Sequence, residues 1–406
     1  MAAAKKTTPA INEKTALKLV TEMIAIPGKS CEEGKIAAYI RKKLVAAGVP
    51  TASIVHDTAH KKSPLGGEIG NMIVKIPGTV RGPRRLLMGH IDTVPLCEGA
   101  RPVRKGQFIV SKDAHTALGG DDRAGAAVVL NAILEIRRQK LPHPPLTLFW
   151  PIQEEVGLYG ARLATLSKLG APKLCFNWDG SATNLATIGA TGDYAINIEI
   201  DGIASHAGGH PERGVNAIAI AGLAISDLVE NAWHGLIVKG KNAGTSNIGI
   251  IHAGSANATN VVVNHLKLKA EARSLDPKFR KKIVEAFRKA FTKAAAQVKN
   301  DSGKKGRVRF QADLKYESFR LSEKEPVVKM ALSAIDSVGL PAQTAISNGG
   351  LDANWLTAHG LPTVTIGCGQ RDAHTVDESL HVESFLNACR TGLLLATGQE
   401  AAGKKS

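Results

Sequence analysis

Apolar residues recur along this chain at two spacings, and the spacing changes with position. Over residues 15–26 they fall at helical spacing and stop near Pro27-Gly28; over 33–47 the pattern resumes and ends at Gly48. Residues 123–138 form the clearest helical stretch, and further helices are predicted over 160–169, 324–338 and 384–395. Between them lie short runs that read as strands. Residues 71–76 alternate, whereas 86–89, 146–152, 173–178 and 361–366 are largely apolar. Helices alternating with buried strands predict an α/β domain with a mostly parallel central sheet flanked by helices.

The middle of the chain has another rhythm. Residues 194–200 alternate as a strand, 202–214 form a polar loop and 215–230 a helix. Strands at 245–252 and 264–272, a helix at 277–299 and a strand at 307–316 follow. This strand-helix-strand-strand-helix-strand order predicts an inserted α+β domain at 191–317, which interrupts a larger domain made of 1–190 and 318–406.

Length and composition agree with two domains. The chain has 406 residues, 44% hydrophobic and 22% charged, which is globular and not disordered. No apolar run approaches the roughly 20 residues that span a bilayer, and the start lacks a secretory signal, so no membrane partner and a cytoplasmic location are expected. Five cysteines, none paired as C-x-x-C, exclude a disulfide scaffold or zinc-finger pattern. The net charge of +16 first suggests a polyanion partner. Residues 278–309 hold twelve Lys or Arg against two acids. There Asp276 can cap the helix and Pro277 suits its first turn. Phe279, Ile283, Phe287, Phe291, Ala294 and Val298 then line one side, and Lys281, Lys282, Arg288, Lys289 and Lys293 fall mostly on the other. That is a solvated helix face. Without interleaved aromatics or a recognised motif, no specific nucleic-acid partner is expected.

Polar clusters stand where the strands end, which is where open α/β sheets place their sites. His90-x-Asp92 can put an imidazole on a metal with a carboxylate orienting it from behind, although a hydrogen-bonded loop histidine is commoner. Asp121-Asp122 opens the helix at 123; capping explains one acid more readily than two. Glu154-Glu155 leaves an apolar strand as two neighbouring carboxylates that need a cation, a proton or solvent. Asp179 follows another buried strand, and His374 stands in a late polar run. Each cluster has an ordinary explanation alone. Together they give two imidazoles and several carboxylates that one sheet would gather. Two divalent ions would balance Asp121, Glu155, Asp179 and one hydroxide. Nitrogen and oxygen ligands without thiolate suit zinc, cobalt or manganese. Glu154 is left over as a general base for water.

In order and local sequence these motifs resemble the co-catalytic dinuclear metallopeptidases that include peptidase T, aminoacylase and the glutamate carboxypeptidases. The resemblance rests on His90-x-Asp92-Thr93-Val94-Pro95, Gly120-Asp121-Asp122-Arg123-Ala124-Gly125, Glu154-Glu155-Val156-Gly157, Asp179-Gly180, Ser205-His206-Ala207-Gly208 and the late His374. It covers 14–398. It implies two divalent ions per chain, with zinc first and cobalt or manganese as alternatives. His90, Asp121 and Asp179 would hold one ion, and Asp121, Glu155 and His374 the other. Asp92 would orient His90, Glu154 would be the general base, and the Asp121–Asp122 peptide would be cis. The inserted domain would be a lid and a homodimer interface. There His206 would stabilise the oxyanion, and Asn260 and Arg273 would grip the substrate; Gly350, in a later loop resembling one that lines the cleft, is a further substrate contact.

Asp179, rather than Glu, resembles the aminopeptidase side, and Glu-Glu-Val-Gly-Leu-Tyr-Gly-Ala-Arg at 154–162 looks like peptidase T-like proteins. Arg123 departs from the usual Lys, and Leu351 from the usual Thr or Ser. The activity implied is metal-dependent aminopeptidase hydrolysis of short peptides such as tripeptides. The alternatives are a carboxypeptidase or N-acyl amino acid amidohydrolase on the same scaffold and, from another class, a non-catalytic polyanion-binding protein.

Overall fold

Four of the apolar runs become the centre of a nine-stranded sheet. Leu146–Trp150, Arg85–Met88, Leu174–Trp178 and Thr363–Ile366 lie side by side in that order, all parallel, with every residue buried. Strands covered on both faces have no polar side, so they read as continuous apolar runs. In this computed structural model, residues 10–255 and 257–398 are described. The sheet is mixed at its flanks. Met72–Ile76 pairs antiparallel with Leu146–Trp150, and Leu185–Ala190 pairs antiparallel with Thr363–Ile366. Leu185–Ala190 was not among the predicted strands.

The chain divides into two compact units. One comprises the residues up to Gly189 with Arg320–Ser347 and the chain from Leu351; the other comprises Ala190–Phe319 with Asn348–Gly350.

In the first unit the long helix Gly120–Gln139 packs on Val382–Thr397 and Glu13–Ile24. Its regular part starts at Arg123, because Asp121 and Asp122 have non-helical backbone angles. The Asp122 carboxylate accepts the Gly125 N–H at 2.9 Å, which makes Asp122 the true cap. Gly125 is needed for close approach: a Cβ there would overlap the Trp178 carbonyl oxygen and the Asp122 carboxylate.

The helix predicted over 160–169 is instead two single turns, Tyr159–Arg162 and Leu166–Leu169. The Thr165 N–H donates to Asp57 Oδ2 at 3.0 Å, which draws the backbone out of the helical ladder. A small four-stranded sheet also went unpredicted. It joins Pro102–Lys105 and Phe108–Ser111 to Ser379–His381 and Gln370–Arg371, and the last two flank His374.

The second unit is a five-stranded antiparallel sheet in the order Gly235–Lys239, Asn242–Ala253, His265–Ser274, Gly192–Asp201, Arg307–Tyr316. The extra edge strand Gly235–Lys239 is paired through a tight turn in which Gly240 has φ +62°. Ala217–Glu230 and Pro277–Gln297 are its helices. Asp276 caps the second by accepting from Lys278 and Phe279 N–H groups. Phe279, Ile283, Phe287 and Phe291 are buried there with Ile196, Ile198 and Ile200, while Lys281, Lys282, Arg288, Lys289 and Lys293 are exposed. Among the described residues, no helix is long and apolar enough to cross a membrane.

Candidate metal centre

The parallel strands bring their following loops to one edge of the sheet. His90 comes two residues after Arg85–Met88, Glu154 and Glu155 four and five after Leu146–Trp150, and Asp179 directly after Leu174–Trp178. Asp121 arrives from the kinked start of the long helix and His374 from the loop between two strands of the small sheet.

Asp121 stands between the two histidines. Its Oδ1 is 3.3 Å from His90 Nε2 and its Oδ2 is 3.4 Å from His374 Nε2. His374 Nε2 also lies 2.8 Å from Glu155 Oε2. Donor atoms of His90, Asp121 and Glu155 fall within 4.8 Å of one another, as do those of His90, Glu154 and Asp179, and those of Asp121, Asp122 and Asp179. All five residues expected as ligands, and the expected base Glu154, are therefore gathered. Asp122 is already engaged by the Gly125 N–H and by the His90 N–H at 3.1 Å, which leaves its neighbour Asp121 for the cluster. The Asp121–Asp122 peptide is cis.

Asp92 sits behind the cluster, fully buried. His90 Nδ1 is 3.2 Å from the Asp92 carbonyl oxygen and 3.4 Å from its carboxylate, which keeps the Nδ1 proton there and leaves Nε2 for the site. The same carboxylate accepts the Glu154 N–H at 3.0 Å and the Glu155 N–H at 3.2 Å, plus the Ser30 hydroxyl at 2.6 Å. One side chain thus orients an imidazole and fixes the turn that carries two carboxylates.

The electrostatics suit a cation. Burial first, then the carboxylates of Asp179, Asp352 and Glu155, push the Glu154 pKa well above the ordinary carboxylate range. Burial and Asp121 push Asp179 up to about 7. Hydrogen bonds to Asp121 and Glu155 push His374 up to about 10. At His90 burial opposes the charged ring, but Asp121, Asp92 and Glu154 outweigh it and the pKa rises. One oxygen of Glu155, Oε1, is buried with no hydrogen-bond partner. Crowded, desolvated carboxylates with an orphaned acceptor and two imidazoles suit divalent cations.

Several supporting residues were not anticipated. Glu378, 2% exposed, accepts the Gly119 N–H at 2.7 Å and the Asp121 N–H at 2.9 Å. Glu33 accepts the Gln153 N–H at 3.2 Å, and Gln370 donates to Asp179 Oδ1 at 3.2 Å. Asp352 is buried with both carboxylate oxygens unpartnered, and burial with Asp92 and Asp179 pushes it up to about 8. Asp352 closes the Gly349-Gly350-Leu351-Asp352 loop that resembles one lining the cleft, and Glu378 closes the polar run around His374, but neither sequence position gave the residue its role.

The other expected residues lie in the second unit. His206 Nδ1 accepts the Gly208 and Gly209 N–H groups at 3.2 and 2.9 Å, so Nε2 carries the ring proton and is the donor. The Asn260 carbonyl oxygen accepts the Ala207 N–H at 2.8 Å, beside an isolated bridge between His206 and Val261. Arg273 differs from expectation. Its Nε and Nη2 are 3.0 and 2.8 Å from the two carboxylate oxygens of Glu271, so the fork that would grip a substrate carboxylate is occupied. Gly350 packs against the Tyr316 ring, which a Cβ would overlap.

Comparison with known proteins agrees with this geometry. A family model for a peptidase dimerisation domain matches residues 188–299, and one for the M42 glutamyl aminopeptidases matches 100–184. A tripeptidase of Staphylococcus aureus superposes with a TM-score of 0.87 at 30% identity, over 96% of this chain and 98% of that one. The chain belongs to the peptidase T-like branch of peptidase family M20. It is a metal-dependent peptidase. Another solved structure on this branch, the aminopeptidase PepT of Bacillus cereus, is 29% identical over 97% of this chain and 100% of its own, with a TM-score of 0.84. YqjE of Bacillus subtilis, an uncharacterized protein, is 30% identical over 97% of this chain and its own full length.

Proposed function

We propose that this M20 peptidase removes the N-terminal residue of tripeptides and similar short peptides, using two divalent ions per chain, with zinc as the first choice. The observation that carries the reading is the near-complete overlap with a tripeptidase at 30% identity, on a chain that gathers the whole donor set.

His90, Asp121 and Asp179 would hold one ion, and Asp121, Glu155 and His374 the other. Bound there, such ions supply Lewis acidity toward a carbonyl and lower the pKa of a water. Glu154 takes the proton of the attacking water and passes it to the leaving amine. Its buried position beside the proposed ligands places its carboxylate where such a water would sit, as a general base requires. Asp92 keeps His90 in the tautomer that offers Nε2. His206 is proposed as the oxyanion donor through Nε2–H, and Asn260 and Gly350 as substrate contacts. Arg273 enters this role only by exchanging Glu271 for a substrate carboxylate.

The inserted unit is proposed to mediate a homodimer. Its edge strand exposes Leu236 (74%) and Val238 (62%), and the helix Ala217–Glu230 exposes Ile218, Leu223 and Val229.

The test is release of free amino acid from a plain tripeptide, beside N-acetylated and C-amidated copies, with zinc, cobalt or manganese supplied. Loss of cleavage on acetylation, with N-terminal release from the plain peptide, supports the aminopeptidase. Cleavage of the acetylated peptide alone would establish a deacylase and overturn the reading.

A further inference from the structure

At the opposite end of the central sheet from the metal cluster, a pocket holds a buried cation that no acid among the described residues pairs. Arg85 opens the strand whose far end leads to His90. At about 3.3 Å per residue the two positions lie on the order of 15 Å apart along the chain. Arg85 is 7% exposed and lines a cavity of about 340 Å³ together with Lys329, Met330, Ser333, Ser337 and Leu394.

A buried arginine is normally paired with an acid. Here Nη1 donates to the Leu395 carbonyl oxygen at 2.6 Å, at the C-terminal end of the helix Val382–Thr397. That capping contact accounts for one nitrogen. Nε is buried without a partner. Burial lowers the Arg85 pKa, and no acid among the described residues opposes it. Among the described residues neither Arg85 nor Lys329 makes an ion pair. Hydroxyls from Ser333 and Ser337 share the pocket, with apolar wall from Met330 and Leu394.

We infer that this pocket binds a small organic carboxylate with a short apolar body. The guanidinium and Lys329 would take the carboxylate, and Met330 and Leu394 the body. The site is separate from peptide hydrolysis, so it stands or falls apart from the function proposed above.

The test titrates sodium hexanoate, and separately inorganic phosphate, into the metal-loaded full chain and follows the thermal midpoint. Hexanoate is expected to raise it saturably. Lys329→Ala, on an exposed helix position, and Met330→Trp, which fills the apolar side, are each expected to weaken half-saturation at least tenfold. Arg85→Met is expected to abolish the response where it folds; the other two variants decide the matter where it does not. An unchanged response in both Lys329→Ala and Met330→Trp places the anion elsewhere and overturns the inference. So does no saturable shift in the parent protein, or phosphate acting as well as hexanoate, since the apolar body would then play no part.

Discussion

Asp121 and Glu378 are 257 residues apart in the chain, yet one backbone hydrogen bond makes them parts of the same site. Asp121 must present its two oxygens in opposite directions, and its peptide is held by the Glu378 carboxylate, which also takes the Gly119 N–H. Glu378→Gln preserves the shape but leaves one acceptor oxygen for two donors, so one N–H loses its partner. Metal affinity is expected to fall about 10- to 100-fold, the usual effect of removing a partner behind a ligand. A chelator competition reads this directly; an affinity within threefold of the parent would mean that Asp121 does not depend on Glu378. Of the residues proposed to hold cations, His90, Asp121, Glu155 and Asp179 were legible in the sequence because each stands just past an apolar strand or at a helix start, whereas His374 stood out only as an imidazole in a late polar run. The roles of Glu378, Glu33 and Asp352 were not legible. They bind distant backbone or sit near distant charges, and their own neighbourhoods carry at most a motif position, not the contact.

At the scale of elements, the strand-and-helix rhythm was legible wherever burial is uniform. The four central strands and the helix at 123 stood out because the strands, and the helix up to Ile136, are almost wholly covered. The small sheet around His374 did not, since strands of two to four residues carry no periodicity and its two local hairpins are joined by a pairing across more than 250 positions. The helix–strand contact at Gly125 gives a sign test. In an open helix, Gly→Ala gains about 1 kcal/mol of propensity. At Gly125 the new methyl meets the Trp178 carbonyl and the Asp122 cap, both held by backbone, and overpacking of this kind costs about 1–3 kcal/mol. Gly125→Ala is therefore expected to lower the thermal midpoint and, by displacing Asp122, metal affinity with it. A raised midpoint would show that the helix start can move aside.

For the whole molecule, the interruption of one α/β unit by an α+β unit was legible from the change of rhythm near 190. A homodimer through the inserted domain was expected from the resemblance, but the edge strand Gly235–Lys239, proposed above as part of its interface, escaped the pattern. Leu236→Asp with Val238→Asp is expected to convert a dimer into a species of the chain mass, 42.8 kDa, by light scattering, with the fold intact by circular dichroism. An unchanged mass would move the interface elsewhere. The cluster also sets how the whole chain responds to pH. Asp179 and Asp352 have pKa values raised to about 7 and about 8, and His374 to about 10. For each, the folded state holds its proton to higher pH than the unfolded state does. Their stabilisation is complete at low pH and is lost as pH rises through those values. Asp121 is lowered, so its contribution is lost only in acid, below the range that matters here. The chelator-treated protein is thus expected to melt at progressively lower temperature from pH 5.5 to 8.5. The net charge of +16 works the other way, because self-repulsion eases as net positive charge falls with rising pH; salt of about 0.2 M screens most of that. Divalent metal competes with the same protons, so it binds more tightly as pH rises, and the gap between loaded and stripped midpoints should widen. A stripped protein whose midpoint stays level or rises across this window would show that the gathered carboxylates reach solvent on their own, and that the cluster does not depend on a cation for its stability.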